Sequence, residues 1–185
     1  MVNNSYGEFG NMAVNDSFVV MAGQGFDTTN SSAPNLVIIR LLTSTGRIDS
    51  TFADNGFTKF PSMIAPADVL LLPNQKIIVT GRILGGVSSF NLMRFQANGK
   101  LDSTFGKRGV VTSHFGRIQD LSTAVALQPD GKIVVGGIWD NSTYTPSQFI
   151  IARYEAEPRI YYNSITGLIF NDKNNNGIRD AGLEI

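Results

Sequence analysis

Apolar residues in this chain fall in short runs, mostly four to six long, each cut by Gly, Asn, Asp or Pro. Val19 to Ala22, Leu36 to Leu41, Val69 to Leu72, Ile77 to Thr80, Leu92 to Phe95, Val110 to Thr112, Ala124 to Leu127, Ile133 to Val135 and Phe149 to Tyr154 are such runs. They are rich in Val, Ile and Phe, which suit a pleated, half-buried surface, and the pattern predicts strands. No window of eleven or more residues carries apolar side chains at helical spacing, so no helix is expected. Pro73-Asn74 and Pro129-Asp130-Gly131 split paired runs and predict hairpin turns, with Pro setting the first turn angle and Gly131 accepting a positive φ.

The runs recur in a fixed order. Gly46-Arg47-Ile48-Asp49-Ser50-Thr51-Phe52 returns as Gly99-Lys100-Leu101-Asp102-Ser103-Thr104-Phe105, and each copy leads to a glycine, Gly56 or Gly109. Asn74 to Gly81 returns as Asp130 to Gly137, with a degenerate earlier copy at Asp16 to Gly23. A third run ends in arginine each time, at Arg40, Arg94 and Arg153. Three diverged units follow, about residues 8–45, 46–98 and 99–154, inside a repeat region spanning 1–157. Repeats of this length build stacked or ringed architectures, because no unit buries its own apolar face.

About four antiparallel strands per unit is the make-up of a propeller blade. The same strands also suit a plain antiparallel sandwich, and it is the periodicity that favours blades. Two full units and a partial first one fall short of the four to eight blades that close a propeller. The expected fold is therefore all-β, with blade-like repeats in a partial or open arc whose raw ends call for more repeats or another copy.

Composition narrows the function classes. Fifteen basic and fifteen acidic residues give zero net charge without a basic run, which argues against a nucleic-acid partner. The chain has no cysteine, so disulfides, thiolate metal sites and a cysteine nucleophile are excluded. No segment reaches eighteen continuous apolar residues, so no membrane span is expected. Met1 to Asp16 lacks the charge and apolar core of a signal peptide. The segment is expected to belong to a longer chain.

The phrase Gly-x-Leu/Ile-Asp-Ser-Thr-Phe, the downstream Pro129-Asp130-Gly131-Lys132-Ile133-Val134-Val135-Gly136-Gly137 and the terminal Ala152-Arg153-Tyr154 resemble the delta-60 repeat. The resemblance covers some four-fifths of the chain. It implies a propeller-like strand pattern within a large bacterial protein, mostly of the exported kind, and it carries no catalytic residue.

After Tyr154 the repeat register breaks into Glu155-Ala156-Glu157-Pro158, and a boundary is expected there, with a second module beginning over 158–185. In that stretch Asp172, Asn174 and Asn176 place side-chain oxygens at positions 1, 3 and 5 of a short loop. Gly177 stands at 6, the Ile178 carbonyl at 7 and Asp180 at 9. Calcium takes six to eight oxygen ligands, and a loop turned at glycine can wrap them around the ion. Position 12, where the EF-hand pattern has Glu, is Leu183, with Glu184 one place later as the last candidate ligand. An Asn-rich turn holding no ion is the alternative. The stretch Thr166 to Gly182 resembles the opening of the SdrD B-like modules. That resemblance implies the start of a β-sandwich stalk domain of a bacterial surface protein, rigidified by Ca2+; the residue inserted before Glu184 departs from it.

Other residues carry weaker signals. His114 is the only histidine, so no histidine cluster can hold zinc. The recurring Arg40, Arg94, Asp49 and Asp102 read as structural ties between a strand end and the next unit. Trp139 and Tyr144, with Phe149 nearby, are candidates for a glycan or peptide site on the long loop, Trp139 to Gln148, expected to join the third and fourth strands of the last unit. Asn3, Asn15, Asn30 and Asn141 head Asn-x-Ser/Thr triplets, which matter only in a glycosylating host. The sequence thus points to a non-catalytic structural, display or adhesion region of a secreted or cell-surface bacterial protein. Its expected partners are further repeats of the same parent and a glycan or protein at the cell surface. A propeller module binding glycan or peptide is the alternative.

Overall fold

In the computed structural model, the structure describes residues 6–26, 34–61, 64–83, 89–115, 119–140 and 148–157. They form eleven strands and, among the described residues, no helix. The first sheet is a four-stranded meander of β1 (Tyr6–Val14), β2 (Phe18–Phe26), β3 (Pro34–Leu42) and β4 (Phe57–Pro61). The second repeats it with β5 (Ile64–Leu71), β6 (Ile77–Ile83), β7 (Phe90–Phe95) and β8 (Val110–Ser113). The third holds β9 (Gln119–Leu127), β10 (Lys132–Asp140) and β11 (Gln148–Glu155). Every pairing is antiparallel. Successive sheets approach each other along their first strands, β5 lying beside β1 and β9 beside β5. These are open, propeller-like blades, with the first strands innermost.

The first and second blades each span two units of the sequence period. The strand that follows the Asp-Ser-Thr-Phe phrase pairs back onto the arginine-ending strand before it: β4 lies on β3 and β8 on β7. The phrase therefore bridges the third and fourth strands of one blade, and the sheet frame is displaced by one strand from the 46–98 repeat frame. The long connections at 27–33 and 141–147 join second and third strands. The expected second module, 158–185, lies outside the described residues.

The two hairpin turns close alike. The Leu72 amide donates to Lys76 O and the Gln75 amide to Leu72 O, while Gln128 and Gly131 repeat the pair with Lys132 O and Gln128 O. The residue before the lysine is left-handed in both, Gln75 at φ 66° and Gly131 at φ 80°. Glycine suits this position and glutamine is strained there.

A second repeated device shapes the blades. In the first strands, Gly10, Ala67 and Thr123 are skipped in the register, each next to the residue that faces Gly23, Gly81 or Gly137 on the second strand. These are β-bulges, which add local twist. Their glycines admit the displaced backbone: a Cβ on Gly81 would stand 2.2 Å from Ala65 O, and one on Gly137 would stand 2.1 Å from Leu121 O. The recurring glycine that ends the second apolar run is therefore a packing requirement as much as a turn signal.

Two apolar layers hold the blades together. Val20, Leu36, Ile38 and Phe52 of the first blade pack on Val69, Ile77, Val79, Met93 and Phe95 of the second. The opposite face of the second blade, with Leu72, Ile78, Phe90 and Leu92, packs on Ile133 and Val135 of the third. The middle blade is thus buried on both faces, and β7 is buried at all six positions.

Gly137→Ala drives a methyl into both Leu121 O and the Phe90 ring, at 2.4 Å from its Cζ. Overpacking of this kind costs about 1–3 kcal/mol, read as a lower urea midpoint at unchanged slope. Gly136→Ala, whose Cβ meets nothing within 4 Å, is the control, with a change under about 1 kcal/mol.

Candidate functional site

The chemistry-bearing residues of the repeats converge where the third strand of each blade ends. After Arg40 and Arg94 the chain turns at Gly46 and at Gly99, both at positive φ. It then returns so that the Asp49 amide donates to Arg40 O at 2.9 Å and the Asp102 amide to Arg94 O at 2.8 Å. The Asp-Ser-Thr order makes a tight turn here: Asp49 Oδ1 accepts from the Thr51 amide at 3.0 Å and its hydroxyl at 2.6 Å. Asp102 Oδ1 does the same with Thr104, at 3.2 and 2.6 Å. The following glycines close the loop, as Gly56 N donates to Phe52 O and Gly109 N to Phe105 O.

This turn presents Asp49 Oδ2 and Asp102 Oδ2 to the arginines. Arg40 Nε donates to Asp49 Oδ2 at 2.9 Å, and its Nη2 lies 2.7 Å from the same oxygen. Arg94 Nε stands 2.8 Å from Asp102 Oδ2 as an ion pair, off the line of a well-directed hydrogen bond. Both pairs are almost wholly removed from solvent. The planar guanidinium is then free to do more than pair. Arg40 lies 4.5 Å over the Phe52 ring and Arg94 4.7 Å over Phe105, the aromatic that ends each phrase.

The remaining guanidinium nitrogen crosses to the next blade. Arg40 Nη1 donates to Ala97 O at 2.6 Å, and Arg94 Nη1 donates to Ala156 O. Ala97 and Ala156 both lie three residues past the arginine of the following blade. Each tie is therefore a blade-internal ion pair and an inter-blade hydrogen bond on one cation. The second tie is enlarged by Lys76, whose Nζ is 3.3 Å from Asp102 Oδ2 and 3.0 Å from Glu157 Oε2. Asn74 Nδ2 donates to Glu157 Oε1 at 2.7 Å. In the first blade Phe18 takes the place of Lys76 and stacks on Arg40 at 4.1 Å instead.

These contacts set the carboxylate acidities. The Thr51 hydroxyl is the main influence on Asp49; with the Thr51 amide and Arg40 it outweighs burial and holds the carboxyl below its ordinary range. Burial pushes Asp102 up, but the Thr104 hydroxyl and amide, Arg94 and Lys76 together bring it below that range. Glu157 follows the same pattern, with burial outweighed by Lys76, Asn74 and Arg94. An open cleft lies between Lys76, Gln96, Asn98 and Asp102, but its charges are already matched against each other. Among the described residues no three acidic or histidine side chains group as a metal site. The arrangement binds blade to blade.

Of the residues singled out from the sequence, Trp139 lies in β10 rather than on a loop, half-buried, opposite Gln148 and Asp120. Phe149 pairs with Ile138, the neighbour of Trp139, so the two aromatics point to opposite faces and do not line one surface. His114 is exposed just after β8. Tyr144 and the calcium candidates Asp172, Asn174, Asn176, Ile178, Asp180 and Glu184 lie outside the described residues. Sequence reasoning missed further cross-blade bonds. Asp68 Oδ2 accepts from the Val125 amide at 2.8 Å, Thr58 Oγ1 donates to Gly99 O at 2.8 Å, and Ser122 Oγ donates to Gly81 O at 3.1 Å. The Asn/Asp-x-Lys turn at Lys76 and Lys132 did carry a signal, in its recurrence.

Residues 72–105 and 128–157 match the family described as a domain of unknown function (DUF5122) β-propeller. The two matched segments begin at equivalent points, on the first hairpin turns of the second and third blades, and contain Arg94, Asp102 and Arg153. No curated protein and no solved structure is a significant match to the chain. The chain thus carries β-propeller-type repeats.

Replacing Arg94 by Ala leaves Asp102 buried without its main cation, an expected loss of about 3–5 kcal/mol in chemical denaturation. Because Asp49 and Asp102 titrate lower in the folded chain than unfolded, their contribution is complete at neutral pH. It is lost as pH falls below about 4 through the lowered folded values. An Asp49→Asn/Asp102→Asn chain is expected to be less stable at pH 7 and to show a flatter stability profile between pH 5 and 3, a window of roughly two units around the unfolded carboxylate value.

Proposed function

We propose that this region is a non-catalytic scaffold in a large bacterial surface or secreted protein, serving display or adhesion, with a calcium-stiffened connection at its C-terminal end. The observation that carries the proposal is the fate of the recurring ionic residues. Arg40, Asp49, Arg94 and Asp102 are all committed to joining blades. The ionic residues that recur with the period thus serve a joint between blades, which supports the scaffold reading. The resemblance to exported repeat proteins supports the location. For calcium, the support is the alternating oxygen ligands at Asp172, Asn174 and Asn176, followed by Gly177 and Asp180.

Calorimetric melting of the chain in calcium and in chelator tests the connection. A ligand held only by the folded loop raises its stability by about 2.7 kcal/mol at a hundredfold excess over the dissociation constant. A calcium-dependent rise that vanishes in Asp172→Ala and Asp180→Ala is the expected result. Identical melts in both solutions would reduce the Asn-rich segment to a turn. Saturable binding of a glycan or peptide, abolished by Trp139→Ala without a change in melting, would replace the scaffold reading with a binding module.

A further inference from the structure

The two inner blade interfaces share one design, and the outer faces of the first and third blades carry its apolar and arginine elements, the third without the Asp-Ser-Thr-Phe phrase. On the second blade, Phe90, Leu92 and Arg94 are each 0% exposed, because the third blade covers them. Leu36 and Ile38, the counterparts of Phe90 and Leu92 on the first blade, are equally buried against the second. On the third blade the same positions are Phe149, Ile151 and Arg153. There Phe149 is 93% and Ile151 79% exposed, and Arg153 is exposed as well. An apolar face ending in an arginine that carries out a cross-blade hydrogen bond at both inner positions is thus presented to solvent.

The complementary half stands at the other end. The second blade meets the first through Ile77, Val79, Met93, Phe95 and Leu101. Their counterparts on the first blade are Val19, Met21, Ile39, Leu41 and Ile48. The first four are only half-buried, and Ile48 is 47% exposed, beside Met12 and Val14 on β1. The carbonyl that receives a preceding arginine, at Ala97 and Ala156, corresponds on the first blade to that of Thr43.

We infer that the outer face of the third blade docks the outer face of the first blade of a second copy of this chain, repeating the inner interface. Phe149 and Ile151 would cover Val19, Met21 and Ile48, and Arg153 would donate to the Thr43 carbonyl. The contact is head-to-tail, so it generates a ring if its rotation closes and a filament if it does not. The inference goes beyond the scaffold reading and does not depend on calcium, so its test is run in chelator.

Sedimentation of the full chain across micromolar concentrations should show association. Ile151→Asp and Ile48→Asp change exposed side chains, one on each half, and each should weaken association by about a hundredfold while leaving the melt of the monomer unchanged. Mixed, the two variants retain one intact half each and should form a one-to-one heterodimer and nothing larger. A wild-type chain that stays monomeric, single variants that still associate, or a mixture that stays monomeric would each overturn the inference.

Discussion

A guanidinium cannot be left unpaired inside a protein, and this requirement organises the molecule. Arg94 is wholly buried, so its charge and its donors must all be met within reach. Asp102 supplies the charge, Thr104 takes one nitrogen, the Phe105 ring lies against the plane, and Ala156 of the next blade takes another nitrogen. The last of these comes from a different sheet, so the arginine is satisfied only when two blades are in register. Apolar contact between sheets is permissive about sliding. A cation that needs a carbonyl at one particular place fixes the register, and the Arg40 tie repeats the same condition one blade earlier.

The phrase Asp-Ser-Thr-Phe can be understood as the apparatus for this one side chain. Aspartate provides the counter-charge, threonine orients the aspartate through amide and hydroxyl, and phenylalanine lies against the cation. The left-handed residues that follow, Ala53, Asn55 and Gly56 in one copy and Gly106, Arg108 and Gly109 in the other, fold the loop back to begin the fourth strand. Non-glycine residues at positive φ are uncommon. Their recurrence at Asn55 and Arg108 shows that the loop is held from outside, by the tie and by the strands on either side of it.

Much of this was legible in the sequence, and the gaps have physical causes. Strand content, the hairpins at Pro73 and Pro129 and the structural role of Arg40, Arg94, Asp49 and Asp102 all follow from recurrence and residue type. β1 was not read as a strand because Gly7, Gly10 and Asn11 break its apolar pattern; it is held by pairing with β2 and tolerates the glycines at a bulge. The start of β5 was obscured by Pro66, which sits at the bulge beside Gly81, where a missing amide is tolerated. The blade frame was not legible, because periodicity reports the length of a repeat but not which strands share hydrogen bonds. Nor did the sequence reveal that Phe18 does by stacking what Lys76 does by charge, or that Asp68, with Ala124 at the corresponding place in the third blade, bonds across an interface.

The displacement between the sequence period and the blade has a consequence for how such a chain can lengthen. A gene segment of one period in the 46–98 frame carries the final strand of one blade and the opening three of the next. Inserted in tandem, it finishes the sheet upstream and founds one that the downstream remainder completes, so every strand still finds its neighbour. Recombination between copies therefore need not fall at a blade boundary to yield a foldable product. The architecture is tolerant of unequal crossing-over, and the number of blades can drift between lineages while the joint that unites them stays the same.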